Sequence, residues 1–152
     1  MAEIKPFRAL RYTPAAGGIS ELTCPPYDII SEEQRRAFLS ENPHNVIRLE
    51  LPRGERPYEE AGETLRGWIQ NGTLKRDTDP GLYIYEEEFT AYGEQRKVRG
   101  LICLVKLEEY EKGVVLPHEE TLSKAKEDRF NLMKKTFCNF SQIYSLYLDE
   151  DR

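Results

Sequence analysis

Apolar and polar positions along this chain recur with two periods, and the change from one to the other divides it into elements. Ile4 to Tyr12 alternates loosely and predicts a strand, which Pro6 confines to a sheet edge or a strand start. Thr13 to Gly18 and Thr23 to Asp28 read as loops. Ser31 with Gln34 three residues later makes a capping box, so a helix should run to about Glu41 and end before Asn42-Pro43. Val46 to Leu51 alternates cleanly, with Ile47, Leu49 and Leu51 on one face, and predicts a strand. The next helix begins near Pro57 and closes at Asn71-Gly72, with Tyr58, Ala61, Leu65, Trp68 and Ile69 as its apolar stripe. Gly62 and Gly67 weaken that helix, and each marks a candidate close approach of another backbone.

Leu82 to Thr90 and Arg96 to Leu107 form a hairpin around the turn Ala91-Tyr92-Gly93-Glu94. Glu86-Glu87-Glu88 within it reads as a solvated edge rather than a metal site. Cys103, inside the run Leu101 to Val105, reads as a core residue. After a turn at Glu111-Lys112-Gly113, Val114 to Leu116 predicts a buried strand. A third helix covers Lys124 to Phe137, and Gln142 to Leu148 alternates again, with Tyr144, Leu146 and Leu148 on one face. Strands and helices do not follow a regular βαβ order. The expected class is therefore α+β, a single domain over residues 1–152 with three helices and a mixed, largely antiparallel sheet.

Composition narrows the partners. Hydrophobic residues make up 39% of the chain and aromatics 11%, enough for a packed core. Charged residues reach 32% with a net charge of −5, which argues against a nucleic-acid surface. No apolar run approaches the roughly 20 residues that span a bilayer, and the first residues lack the apolar core of a secretory signal. The expectation is a cytoplasmic protein with no membrane partner. Cys24, Cys103 and Cys138 show no paired spacing and read as free thiols of a reducing compartment. Two histidines without a cysteine cluster speak against structural zinc. Phosphate-loop, dinucleotide-binding, nucleophile-elbow, zinc-protease and EF-hand motifs are all missing.

The densest chemistry lies in Pro117-His118-Glu119-Glu120-Thr121 and on through Lys126, Asp128 and Arg129, directly after the predicted Val114–Leu116 strand. A histidine beside carboxylates suits general acid–base work. Lys126 and Arg129, three apart on a helix, share a face and would hold a phosphate or carboxylate, Arg129 with a bidentate fork. Asp128 and Glu119 would accept a substrate proton or hold a magnesium ion, which needs only one or two carboxylates plus substrate oxygens. The plain alternative is a solvated helix of mixed charge with His118 packing or capping. A second constellation, Cys24-Pro25-Pro26-Tyr27-Asp28, stiffens a loop and fixes Tyr27 and Asp28 as a ligand wall, or else as a rigid connector. No base near Cys24 in the sequence supports it as a nucleophile. Asn42-Pro43-His44-Asn45 reads as a structural turn, and Asn139 is similarly placed after the last helix.

Taken in order, Ile4 to Tyr12, Pro25 to Ile30, Asn42-Pro43 with Asn45, Leu49 to Pro52, Pro117-His118-Glu119 with Thr121, Lys126, Asp128-Arg129 and Asn139 resemble a family of uncharacterised bacterial and archaeal proteins. It is the domain-of-unknown-function family numbered ten-fifteen, and the resemblance covers essentially the whole chain. The family brings no established activity, but the resemblance strengthens the reading of this stretch as one wall of a site, helped by the Pro25–Asp28 loop, with His118, Glu119 and Asp128 as catalytic groups. Tyr27, Asp28, Thr121, Lys126, Arg129 and Asn139 would be its ligand contacts. The family usually reads glycine-proline before the motif lysine, where this chain has Lys124-Ala125, which would start the helix earlier and displace Lys126. Family members run more than twice as long, so the resemblance implies an N-terminal portion that binds without catalysing if the remainder completes the site. Fold-level kinship with the ParB/sulfiredoxin-like group would imply nucleotide-binding and small-molecule kinase relatives. Two functions follow as expectations. One is an enzyme acting on a nucleotide or phosphate ester, with magnesium as the compatible cofactor, by phosphotransfer or hydrolysis. The other is a regulatory or scaffolding module whose polar motif is structural.

Overall fold

A computed structural model describes residues 2–147. The fold is α+β, as the pattern predicts, but among the described residues the strands form three two-stranded sheets rather than one, and five α-helices stand where three were expected. The chain divides into two compact units. One comprises the residues up to Arg11 with Lys75–Glu120, and the other Tyr12–Leu74 with the residues from Thr121 onward.

In the first unit, the expected opening strand is interrupted at Pro6. β1 (Ile4–Lys5) pairs antiparallel with β6 (Leu104–Val105), and β2 (Leu10–Tyr12) pairs with β3 (Leu74–Arg76), the division between units falling within β2 and β3. The hairpin of β4 (Tyr83–Ala91) and β5 (Glu94–Ile102) turns through Tyr92 and Gly93. Both turn residues have positive φ, 53° and 78°, which matches the right-handed twist of the strands they join. Its register sets Glu86 opposite Arg99 and Glu88 opposite Lys97. Those pairs close at 2.6 Å and 2.7 Å, so the acidic run is an exposed ladder of cross-strand ion pairs. Cys103 is half-buried rather than core. Val114 to Leu116 is irregular, not a strand: no strand among the described residues pairs with it, Val114 and Val115 are half-buried, and Leu116 is exposed.

The second unit is helical: α1 (Ile19–Leu22), α2 (Glu32–Glu41), α3 (Ile47–Glu50), α4 (Pro57–Gln70) and α5 (Ser123–Thr136). The Ser31–Gln34 capping box forms in full and starts α2. The predicted strand over Val46–Leu51 is instead the single-turn helix α3. Period alone does not separate a buried strand from a buried helical turn in so short a run. Asn45, completely buried, decides it. Its Oδ1 accepts from the Ile47 amide at 3.0 Å, and its Nδ2 donates to the carbonyls of Glu21 and Thr23 at 2.8 Å and 3.0 Å. Asn42 likewise accepts from the His44 amide, so the Asn42–Asn45 segment is the structural turn its composition suggests.

Ile47, Leu49 and Leu51 then enter a core completed by Leu22, Ala61, Leu65, Trp68 and Leu132. Ile69 falls outside that face and is 42% exposed. Gly62 is a genuine close approach, because a Cβ there would stand 2.9 Å from the Lys135 carbonyl oxygen, whereas Gly67 has nothing within 4 Å. Residues 142–147 are irregular and exposed rather than a strand, since no strand among the described residues takes up their backbone bonds; Leu148 of that expected strand lies outside the described residues.

Candidate functional site

Three segments of the second unit meet at Arg129. The Pro25-Pro26 pair leads into a short 3-10 turn, Tyr27–Ile29, with Pro26 at φ −52° and ψ 138° directing the chain into it. This presents the half-buried ring of Tyr27 to α5, and the Arg129 guanidinium carbon lies 3.9 Å from the ring centroid, a cation–π contact. Arg129 Nε donates to Asp128 Oδ2 at 2.9 Å and Nη2 donates to the same oxygen. Asp128 Oδ1 accepts from the Tyr58 hydroxyl, in the first turn of α4, at 2.9 Å. Both carboxylate oxygens are therefore engaged, and Nη1 of Arg129 is left over by the pairing. Burial, and next the hydrogen bond to Asp128, push the Tyr58 phenol up from its ordinary value, so it stays a donor.

The other expected residues are placed as follows. His118 and Glu119 lie in an irregular, exposed stretch of the first unit, without the strand expected to launch them. Thr121 is exposed at the start of the second unit's C-terminal segment. Asp28 is exposed on the 3-10 turn, and Asn139 is exposed beyond α5. The structure thus brings Tyr27, Asp128 and Arg129 together and adds Tyr58, which the sequence shows only as one member of an apolar stripe.

The start of α5 has an unusual charge distribution. Its N-cap, Leu122, supplies no side-chain cap, no acid occupies the first turn, and Lys124 and Lys126 stand there instead. The positive end of the helix dipole and two ammonium groups act in the same sense there. Lys126 is exposed and stands three residues before Arg129 on the same side of α5.

A second polar group was not legible. Glu50 is buried and accepts a hydrogen bond from the Ser141 hydroxyl. Burial, and after it the charge of Glu50, push the Cys24 thiol up to about 11. A thiol so raised is a poor nucleophile at neutral pH. Burial also raises the Tyr12 phenol, which donates to the His44 carbonyl at 2.7 Å. His44 itself packs edge-on against Trp68 at 5.6 Å. The signal for Glu50 was its position inside Leu49-Glu50-Leu51, a charge embedded in apolar sequence.

Among the described residues no three or more His, Cys, Asp or Glu side chains gather to hold a metal ion, and no helix is long and apolar enough to cross a membrane. A family model described as a protein of unknown function, DUF1015, matches residues 4–152. No curated protein and no solved structure matches the chain.

Proposed function

The chain belongs to the DUF1015 family, and from that premise we propose that its second unit binds a phosphorylated small molecule, a nucleotide or a phosphate ester. The observation that carries this reading is the first turn of α5, without an acid or a side-chain cap from its N-cap Leu122, bearing Lys124 and Lys126. Ordinary helices place acids at that end, where they complement the dipole. Here a phosphate would serve in their stead. Lys126 and Nη1 of Arg129 would hold it, while Tyr27 fixes the guanidinium plane, with Asp28, Thr121 and Asn139 as further ligand contacts. Phosphotransfer or hydrolysis, with His118, Glu119 or Asp128 as acid or base and magnesium arriving with the nucleotide, is the finer form of the same reading. The unbridged thiols Cys24 and Cys103 suit a reducing, cytoplasmic setting.

The satisfied bonding of Asp128 favours a second reading, a regulatory or scaffolding module in which Tyr27, Tyr58, Asp128 and Arg129 knit helices together. One experiment separates the two. The protein and its Lys126→Ala variant are screened by thermal shift against ATP, ADP and simple phosphate esters. Under the binding reading at least one ligand stabilises the wild type, and Lys126→Ala, an exposed substitution, removes that response while leaving the unliganded melting temperature unchanged. A wild type that responds to none of them leaves the module.

A further inference from the structure

A second basic site lies elsewhere in the helical unit. A cavity of about 190 Å³ opens between α2, α3 and the start of α4, lined by Arg35, Arg48, Arg53 and Glu60. One water occupies roughly 30 Å³ of liquid, so the space admits a small polyatomic ligand. Three guanidinium groups against one carboxylate give the lining an excess of two positive charges, in a chain whose net charge is −5.

Arg48 and Arg53 are held without being neutralised. Arg35 Nε donates to the Leu51 carbonyl at 2.9 Å, Arg48 Nη2 to the Leu39 carbonyl at 3.2 Å, and Arg53 Nη1 to the Pro52 carbonyl at 3.3 Å. Carbonyl partners fix a guanidinium in place and leave its charge available. Arg35 alone also touches an acid, Glu32, through Nη1 at 3.3 Å, and only 13% of its side chain is exposed. Arg48 adds an unmet demand, because its Nε is buried and has no acceptor among the described residues. Buried donors are nearly always satisfied, so this orphan, in a residue that lines the cationic cavity, points to an acceptor that is not part of the protein's own fold.

We infer that this cavity is an oxyanion-binding site for a phosphate group, carried either by free phosphate or by a phosphate monoester, with Arg48 and Arg53 as its principal donors. Planar forks of this kind suit tetrahedral oxyanions, which accept from two guanidinium edges at once. The site is separate from the α5 face, and neither depends on the other.

Isotope-labelled protein is titrated with inorganic phosphate and, in parallel, with glycerol 2-phosphate, at low ionic strength against chloride of matched ionic strength. Amide shifts should saturate around Arg35, Arg48 and Arg53. The tighter of the two ligands identifies the source of the phosphate group. Arg53→Gln, an exposed position, and Arg48→Lys, which keeps the charge and loses Nε, should each weaken binding about tenfold. Lys126→Ala should leave it unchanged, so failure here is distinct from failure of the α5 reading. Shifts that do not saturate, or variants that bind as the wild type does, overturn the assignment.

Discussion

The hydroxyl of Tyr58 donates to Oδ1 of Asp128 at 2.9 Å, joining the first turn of α4 to α5 between residues 70 positions apart. The same carboxylate receives Arg129, which in turn covers Tyr27, so one acid organises contacts from two other segments.

Removing only the hydroxyl tests that arrangement. Tyr58→Phe should lower stability by about 1 kcal/mol, at the modest end for a hydrogen bond to a charged group because Asp128 is partly open to solvent. Chemical denaturation measures it. A loss indistinguishable from zero would mean that Asp128 does not depend on this bond.

The two glycines of α4 should respond with opposite signs. Gly62→Ala forces a Cβ to 2.9 Å from the Lys135 carbonyl oxygen, and α4 and α5 must separate to relieve it, at a cost of about 1–3 kcal/mol. Gly67→Ala meets nothing within 4 Å and gains helix propensity, about 0.5–1 kcal/mol of added stability. Equal effects from the two substitutions would sink the close-approach account.

Cys24 supplies a pH-dependent test. Its thiol rises from 9.0 to about 11 in the folded protein, so the fold favours the protonated form. The associated stability is fully present below pH 9 and is lost as pH climbs through about 11. In protein carrying Cys103→Ser and Cys138→Ser, iodoacetamide at pH 8 should label native Cys24 about a hundredfold more slowly than the unfolded chain, in proportion to the thiolate present. Adding Cys24→Ser should reduce the alkaline loss, leaving the part that the raised Tyr12 and Tyr58 phenols contribute. Native labelling as fast as unfolded labelling would contradict the placement of this thiol beside Glu50.

How much of the fold was legible depended on how local each signal is. The Ser31–Gln34 box, the helix from Pro57, the helix around Asp128 and the Tyr92–Gly93 hairpin turn were read from residues a few positions apart, and all formed. Val46–Leu51, Val114–Leu116 and residues 142–147 were misread because an apolar alternation is only half of a strand. The other half is a partner for its backbone bonds, which a distant segment has to provide.

The candidate site divides in the same way. Sequence alone determined that Lys126 and Arg129 share a helical face, because spacing on a helix sets it, and that Pro25-Pro26 would hold Tyr27 rigidly. Only the tertiary structure decided that Tyr27 lies under Arg129, that Tyr58 holds Asp128, and that Glu50 is buried, bonded by Ser141 and close to Cys24. It also decided that Arg35, Arg48 and Arg53 surround one cavity. Those relationships join residues far apart in the chain. The chain's own periodicity carries no information about them, because helix packing, not sequence spacing, sets which side chains meet and which charges lose water.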